Sequence, residues 1–506
     1  MGLGTLEGNR LVAAVTFATG SGFLLFGYDQ GVFGGLIENR SFRETFSNPS
    51  SVMIGQITAT YDLGCFFGAI ACMALGDHFG RRVSIGLGCI ILTVGAILQT
   101  VSYHSAQMII GRFIAGIGNG INTTAIPVWQ SEMSKPSHRG RLIVLQLALN
   151  QVGNVTAQWL NFGLGFIDHH SVSWRFPLAF QIFYAFLAAS ALPWLPDSPR
   201  WLIQRNRDAE ARIVLARLHN KGSTPDDPEI TALHHATVQA VHHELELSTT
   251  LSWCALLTKD RLHTRRRVLL GAGTQFMQQW GGINAIVYYL PVTFASLHVS
   301  RTMSLILSCC NAMNLLFSTC AGAAVIDSLG RKKLMLFGAA GQCICFALVA
   351  GSLGAGTETW SKVAIAFVFA FFTIFGLTWI AIPWMYPAEV NTQQWRNRGA
   401  GIATATNWIC NYAVVLATPV AIEKIAWRYY LVYAALNFVF VSVVWVFYVE
   451  TAGLSLEGVD ELFERMGGSN SGIGRVELKN LGVQLHSEVK EDKEGSSSEW
   501  VEGRKV

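Results

Sequence analysis

Three charged side chains lie inside long apolar stretches of the sequence, where charge is costly. Asp29, Asp62 and Arg112 each fall within a different stretch. Ionisable groups inside a membrane-spanning segment commonly mark a functional site. A carboxylate can gain or lose a proton, whereas an arginine guanidinium keeps its charge. These residue types predict a proton-handling site, with a fixed ion pair that holds two helices in register as the alternative.

The composition indicates a membrane protein. Of the 506 residues, 51% are hydrophobic and 14% are charged, against about a quarter charged in a typical soluble domain. The net charge of +4 comes without a basic stripe, so we expect no nucleic-acid partner. All but one of the ten cysteines fall in apolar runs and no CxxC pair occurs, so we expect neither a disulfide framework nor a metal site.

The apolar runs predict twelve membrane-spanning helices, each of which needs about 20 residues. The runs cover 11–36, 52–75, 83–102, 106–130, 140–167, 174–195, 267–297, 302–326, 333–354, 362–387, 398–421 and 428–449. The expected fold is an all-α membrane protein surrounded by membrane lipid. Its predicted parts are a six-helix half (1–199), a cytosolic linker (200–266), a second six-helix half (267–450) and a cytosolic, largely disordered tail (451–506).

The span ends set the depth of the three charges. Asp29 and Arg112 each lie about six residues, or roughly 9 Å, from the outer ends of spans one and four. They can therefore meet. Asp62 lies about ten residues into span two, near the middle of the bilayer at 1.5 Å per residue. It is a second titrating group, another partner for Arg112, or a neutral acid that faces a cavity.

Short loops rich in Lys and Arg alternate with poorer ones, which predicts the orientation of the chain. The basic loops follow spans two, four, eight and ten, and the basic linker lies on the same side. We expect a multi-pass protein of the plasma membrane with both termini in the cytosol.

The sequence also repeats itself. GDHFGRR (76–82) recurs as IDSLGRKK (326–333), and Glu132 precedes Arg139 by the same seven residues that separate Glu389 from Arg396. Two repeated halves with a substrate site between them are typical of secondary transporters.

Several motifs together resemble the sugar porter family of the major facilitator superfamily, and within it the fungal branch that includes the yeast glycerol–proton symporter. The match runs over about 10–465 and is carried by GYDQG (27–31), GRFIAGIGNG (111–120), PVWQSEMSKPSHRG (127–140), PDSPR (196–200), QQWGGINAIVYY (278–289) and IPWMYPAEV (382–390), with the two repeated motifs above.

The resemblance implies the major facilitator fold with 12 helices and transport by alternating access, with no enzyme activity and no cofactor. In proton-coupled members the acid at the position of Asp29 carries the proton, and the arginine at the position of Arg112 tunes its proton affinity. We add Asp62 to this predicted coupling site. Facilitative members also carry an acid here, so a uniporter remains the alternative.

The resemblance further assigns a substrate site. The predicted contacts are Gln278, Gln279, Asn284 and Trp384, with Tyr288 and Tyr289 as an outer gate. Amides that only join helices are the alternative. Two positions depart from the family: its span-five glutamine falls on Leu147, with Gln146 one place off and retained as a candidate, and an acid of span ten is Gly376.

A cytosolic gate of charged helix ends is also implied, with topology-setting charge as the alternative. Its predicted residues are Asp77, Arg81, Arg82, Glu132, Arg139, Asp327, Arg331, Glu389 and Arg396. The sequon Asn39-Arg40-Ser41 lies in a predicted outer loop, so we expect glycosylation of Asn39.

Three functions compete at this point. The leading one is proton symport of a monosaccharide or polyol, so sugar and protons are the expected partners. The second is a facilitative uniporter or a carrier of a specialised fungal metabolite. The third, a non-transporting nutrient sensor, is disfavoured by the short polar tail.

Overall fold

The computed structural model describes residues 6–134, 139–219, 222–249, 256, 260–295, 299–392, 394–454 and 456–468. This part of the chain is almost wholly helical and contains no strand. An α-helix satisfies every backbone hydrogen bond within one segment, which is the requirement that a lipid environment imposes.

The first half contains six long helices and one short one. They are α1 (Asn9–Leu36), α2 (Arg40–Thr45), α3 (Ser51–Phe79), α4 (Arg81–Thr100), α5 (Ser105–Glu132), α6 (Arg139–Leu164) and α7 (Val172–Ala191). The long helices match predicted spans one to six. Helix α1 packs against α6 and α7, and α5 packs against α3 and α4.

Three linker helices follow, and then the second half. The linker forms α8 (Pro199–Gln204), α9 (Asp208–His219) and α10 (Pro228–Thr249). The second half forms α11 (Thr264–Trp280), α12 (Ile283–Val287), α13 (Leu290–Ala295), α14 (Arg301–Leu329), α15 (Arg331–Ala355), α16 (Glu358–Leu377), α17 (Ile382–Val390), α18 (Arg396–Ile425), α19 (Arg428–Phe447) and α20 (Leu456–Gly468).

Two predicted spans are broken. Span seven is interrupted after Trp280, where Gly282 adopts φ 96°, and span ten is interrupted between α16 and α17. A break exposes backbone carbonyls that must find partners. The Gln278 amide donates to the Trp379 carbonyl and the Gln275 amide to the Pro383 carbonyl, both at 2.8 Å. The break in span ten is thereby satisfied by α11.

Within the described residues, nine helices are long and apolar enough to cross a membrane, taking α16 and α17 together as one. The other three of the twelve predicted spans are α5, α6 and the segment of α11 to α13. Arg112 and several amides lower the hydropathy of α5 and α6, and α11 has only 17 residues. These three less apolar segments contribute much of the polar interior.

The sequence repeat corresponds to a structural one. Gly80 (φ 88°) separates α3 from α4, and Gly330 (φ 85°) separates α14 from α15. After the first glycine, the Arg81 amide donates to Asp197 (3.2 Å); after the second, the Arg331 amide donates to Glu450 (2.7 Å). Each acid thus satisfies the positive N-terminus of a membrane helix.

The predicted tail begins with structure instead of disorder. Helix α20 is amphipathic, and it buries Val459 and Phe463 completely or nearly so. Its Asp460 carboxylate lies 2.5 Å from the Arg267 guanidinium at the start of α11. The disorder predicted for the remaining tail falls on 469–506, outside the described residues.

The surroundings of Asn39 disfavour its predicted glycosylation. Asn39 is only 4% exposed and caps α2, since its Oδ1 accepts from the Phe42 amide at 3.1 Å. Its Nδ2, the atom that would carry the glycan, donates to Ser173 Oγ at 2.9 Å. A buried, hydrogen-bonded nitrogen cannot hold a bulky surface sugar.

Replacing Gly80 with alanine should destabilise the protein by about 1–3 kcal/mol, because its backbone conformation is essentially restricted to glycine. A Cβ there would also lie 2.6 Å from an Asp197 oxygen. The unfolding temperature of the detergent-purified protein, followed by tryptophan fluorescence, checks this. Gly163→Ala is the matched control, because a Cβ at that position meets no atom within 4 Å. Equal unfolding temperatures for the two variants would contradict the prediction.

The Asn39 sequon offers a second test in yeast-expressed protein. Endoglycosidase should leave the gel mobility unchanged, and Asn39→Ala should cost about 1 kcal/mol of stability through loss of the helix cap. Ser41→Ala destroys the sequon but keeps the cap, so it should resemble wild type in both assays. A mobility shift that Ser41→Ala abolishes would restore the glycosylation site.

Candidate functional site

A central cavity lies between the two halves of the bundle. Helices α1 and α6 line one side, and α11, α12, α14, α16, α17 and α18 line the other. The lining residues are Phe26, Gln30, Leu147, Asn150, Gln151, Asn154, Gln278, Gln279, Ile283, Asn284, Val287, Leu315, Phe375, Ile380, Trp384 and Asn407. The polar members are all neutral amides, and the rest are apolar or aromatic. The cavity therefore suits a neutral molecule that has both hydroxyl groups and an apolar face.

The cavity brings together most of the predicted substrate residues. Gln278, Gln279, Asn284 and Trp384 all line it. Gln146 does not: it is buried at 1% exposure while Leu147 faces the cavity. One residue along a helix is a rotation of about 100°, which places the two side chains on different faces.

Sequence reasoning missed several contributors. Gln30 is an amide inside an apolar run at about the same depth as Asp29, so its residue type and depth could have marked it as a candidate. Asn407 lies four residues before Asn411 in an apolar helix, a spacing that places both amides on one face. Apolar lining residues such as Phe26 carry no signal that separates them from core residues.

The amides of the second half form one hydrogen-bonded set. Asn284 Nδ2 donates to Gln279 Oε1 (2.6 Å) and to Asn411 Oδ1 (2.8 Å). Asn407 Nδ2 donates to Gln275 Oε1 (2.6 Å) and Gln278 Oε1 (3.3 Å). These bonds hold the side chains in fixed orientations around the cavity.

The amides of the first half are less satisfied. Gln151 Nε2 donates to Asn150 Oδ1 at 2.9 Å. In the described part of the chain, Asn150 Nδ2, Gln151 Oε1 and Asn154 Oδ1 are buried without a hydrogen-bond partner. Buried polar atoms are normally paired, so these three atoms are suited to bind the hydroxyls of a ligand.

Asp29 and Arg112 are joined through a tyrosine. Both are fully buried, and Tyr61 donates its hydroxyl to Asp29 Oδ2 at 2.6 Å. The Arg112 guanidinium lies between the rings of Phe33 (4.1 Å) and Tyr61 (4.2 Å) and donates to two carbonyls of α3 (3.1 and 3.4 Å). The direct ion pair expected from the sequence does not form, because rings and carbonyls already surround the guanidinium.

Asp62 joins the two halves. It is fully buried, and its Oδ1 accepts from Asn411 Nδ2 (3.0 Å) and from the Tyr288 hydroxyl (3.4 Å). Asp62 belongs to α3, whereas both donors belong to the second half. It is thus not a contact of Arg112, and it is connected through Asn411 to the cavity amide Asn284.

The predicted outer side of the cavity is closed. Tyr288 and Tyr289 do not line the cavity but pack with Ile37, Ile54 and Val415 in an apolar cluster contributed by both halves. Tyr289 donates its hydroxyl to the Val415 carbonyl at 3.1 Å. An ion pair between Asp168 and Arg301 also joins the halves at this end.

Some predicted gate residues pair at the opposite end. Arg81 lies 3.3 Å from Glu132, and Arg331 lies 2.9 Å from Glu389. Glu389 is therefore paired with Arg331. Arg82 donates to the Leu195 carbonyl at 2.9 Å. The side chains of three other predicted gate residues fall outside the described residues: Asp77, Arg139 and Asp327.

Comparison with known proteins agrees with this architecture. Residues 13–463 match the family model described as Sugar (and other) transporter. The chain is 41% identical to MFS-type transporter oryC of Aspergillus oryzae, over 90% of this chain and 86% of that protein. It is 36% identical to Sugar transporter STL1 of Saccharomyces cerevisiae, over 91% and 82%.

A solved structure shares the fold. It is that of XylE from E. coli, described as a major facilitator superfamily proton:xylose symporter and bound to 6-bromo-6-deoxy-D-glucose. The TM-score is 0.75 at 22% identity, covering 90% of this chain and 99% of XylE. With a family match over nearly the whole membrane region, the chain belongs to the sugar transporter family of the major facilitator superfamily, and it is a multi-pass membrane carrier, not an enzyme.

Proposed function

We propose that this protein carries a monosaccharide or polyol across the plasma membrane by alternating access, together with a proton. The observation that carries the proposal is the central cavity, which combines neutral amides from both halves with Trp384. A sugar presents hydroxyls and apolar C–H faces, and this lining supplies a partner for each.

The charge of the cavity supports a neutral substrate. None of the described residues that line it is charged. A charged ligand moved there from water would lose hydration without gaining a counter-ion, at a cost of several kcal/mol. The amide atoms of Asn150, Gln151 and Asn154 that lack protein partners instead favour a ligand with several hydroxyls.

Proton coupling rests on the cluster of Asp29, Tyr61 and Arg112. The acid lies on α1, which also contributes Phe26 and Gln30 to the cavity. Tyr61 donates a short hydrogen bond to the carboxylate from α3, and a charged acceptor makes such a bond about twice as strong. A proton on Asp29 weakens that bond and frees α1 to move relative to α3. Asp62 is the second acid of the proposed coupling site.

The descriptions of similar proteins support the proposed transport of a sugar with a proton. XylE is described as a proton:xylose symporter and STL1 as a sugar transporter. The two halves, joined by the helical linker, would rock about the cavity with both termini in the cytosol. The pairs Arg81–Glu132 and Arg331–Glu389 would act in the cytosolic gate, and the Tyr288 and Tyr289 cluster in the outer one.

A second candidate is a facilitator or a carrier of a specialised metabolite. The specific observation is that half of the cavity lining is apolar, including Phe26, Leu147, Leu315, Phe375 and Ile380. Leu147 and Gly376 also replace polar residues expected in a hexose site. A less hydroxylated ligand would fit these surfaces better than glucose does.

Proton coupling predicts that Asp29→Asn affects accumulation and exchange of the substrate differently. In cells that lack their own hexose and glycerol carriers, wild type should accumulate labelled glucose, xylose or glycerol, and a protonophore should abolish accumulation. The variant should lose accumulation but retain exchange of labelled for unlabelled substrate, because exchange does not require release of the proton. Glu358→Gln is the control: it is the same chemical change at an exposed carboxylate.

Three other results have distinct meanings. Accumulation that resists the protonophore in wild type would identify a facilitator. Loss of both accumulation and exchange in Asp29→Asn would make the acid a structural partner of Tyr61. Uptake of none of the three substrates by wild type would favour the specialised-metabolite carrier.

Arg112→Lys should reduce uptake at least about tenfold, because a lysine cannot stack flat between two rings while donating to two carbonyls. The matched control is Arg175→Lys. Arg175 also stacks on aromatic rings and donates to the carbonyls of Thr100 and Ser102, but these partners are not part of the proposed coupling site. Uptake is normalised to folded carrier by fluorescence size-exclusion chromatography. Similar losses in both variants would assign Arg112 a purely structural role.

A further inference from the structure

The hydrogen bonds between Asp62 and the cavity have a defined direction. Asn411 Nδ2 donates to Asp62 Oδ1, and Asn284 Nδ2 donates to Asn411 Oδ1. The chain continues as Asn284 Nδ2 donates to Gln279 Oε1. Three amides are thus arranged in series behind one buried carboxylate.

The carboxylate fixes the direction of the series. An amide offers an oxygen acceptor and a nitrogen donor of similar shape, and its orientation is decided by its partners. A carboxylate oxygen accepts only, so Asn411 must present its nitrogen to Asp62. Its oxygen then faces Asn284, which must present its own nitrogen. Asp62 therefore acts on Asn284 from two side chains away.

At the other end of the amide network, Gln275 and Gln278 are also held in one orientation. Gln278 and Gln275 donate to the backbone carbonyls of Trp379 and Pro383, and a carbonyl also only accepts. Their side-chain oxygens are left to accept from Asn407 Nδ2. The orientation of Asn407 is therefore fixed by the backbone carbonyls and does not depend on Asp62.

The arrangement determines what the cavity offers a ligand. Asn284 donates both of its N–H groups to protein oxygens, and so does Asn407. Each has only its oxygen left for a ligand. A substrate hydroxyl must therefore donate a proton to both residues.

Protonation of Asp62 on its other oxygen does not remove this constraint. Both hydrogen bonds reach Oδ1, while Oδ2 has no partner among the described residues. The other ionisable groups near Asp62 are Arg112, Cys65 and Tyr288, with Asp29 beyond Tyr61. Of these, Tyr288 also contacts Asn411 with its hydroxyl and donates its backbone N–H to the Asn284 backbone carbonyl, and neither contact fixes the side-chain amide of Asn284.

We propose that Asp62 is a positioning residue that sets the donor–acceptor polarity of the substrate site, so that the carrier selects ligands by hydroxyl groups that donate. This rests on the proposed function as a sugar or polyol carrier. It adds that hydroxyls facing Asn284 and Asn407 cannot be replaced by groups that only accept, such as fluorine or a methyl ether.

The test measures selectivity in inhibition of exchange, with labelled glucose, xylose or glycerol as the transported probe. The inhibitors are deoxyfluoro and O-methyl derivatives of the probe, each altered at one hydroxyl. Wild type should bind at least two derivatives about tenfold or more weakly than the parent, as expected of a site built to pair with a hydroxyl. Asp62→Asn should reduce that discrimination to within about threefold at the hydroxyl that faces Asn284, because an amide at 62 allows Asn411 and Asn284 to turn over. Discrimination at the hydroxyl that faces Asn407, which Gln275 and Gln278 orient, should remain.

A swap separates polarity from packing. In the double variant Asp62→Asn with Asn411→Asp, the carboxylate at 411 again accepts from Asn284, so discrimination should return. Glu358→Gln, the same type of change outside the network, should retain wild-type discrimination. Loss of folded protein alone would change the rate of exchange but not the ratio of inhibition constants.

The outcomes separate the two proposals. Exchange of none of the three probes by wild type overturns the proposed function, and this inference with it. Exchange by wild type that tolerates fluorine at every hydroxyl overturns the inference alone. So does discrimination that survives in Asp62→Asn at every hydroxyl, or that fails to return in the swap.

Discussion

A polar group buried away from water must find a hydrogen-bond partner, and the organisation of this carrier follows from that requirement. The helices meet it for the backbone, except at the breaks in spans seven and ten. There, side-chain amides of α11 bind the freed carbonyls of the segment between α16 and α17. One of these amides, Gln278, also lines the cavity, so a side chain that satisfies the broken backbone also faces a ligand.

The two halves meet this requirement differently. In the second half, each amide that lines the cavity is held by another amide or by a carbonyl, which gives a pre-organised surface. In the first half, Asn150, Gln151 and Asn154 retain unpaired polar atoms. A substrate would therefore bind to a rigid surface on one side and complete the hydrogen bonds of the other. Binding of this kind draws the halves together, as alternating access requires.

Hydropathy and motifs predicted the positions of the helices and the main cavity residues, because both depend on local sequence. The errors arose from long-range contacts. Depth alone allowed Asp29 to meet Arg112, but only the structure places Tyr61 between them. Gln146 is an amide, as expected, but it lies one position away from the residue that faces the cavity.

Other features depend on residues that are distant in the sequence. The burial of Asn39 depends on Ser173, and the position of α20 depends on Arg267. Asp62 could be recognised as unusual, yet its connection to Asn284 through Asn411 required the packing of α3 against α18.

Helix α20 ties together two segments that the cavity depends on. Arg267 at the start of α11 lies against Asp460 and the ring of Phe463, and it also donates to the Val390 carbonyl at the end of α17. Helix α11 carries Gln278 and α17 carries Trp384, so both lining elements are anchored at one point, at the start of α11. A fluorescent reporter or affinity tag that replaces the chain from a point before residue 468 would remove this anchor. One joined after residue 468 leaves α20 and its contacts in place.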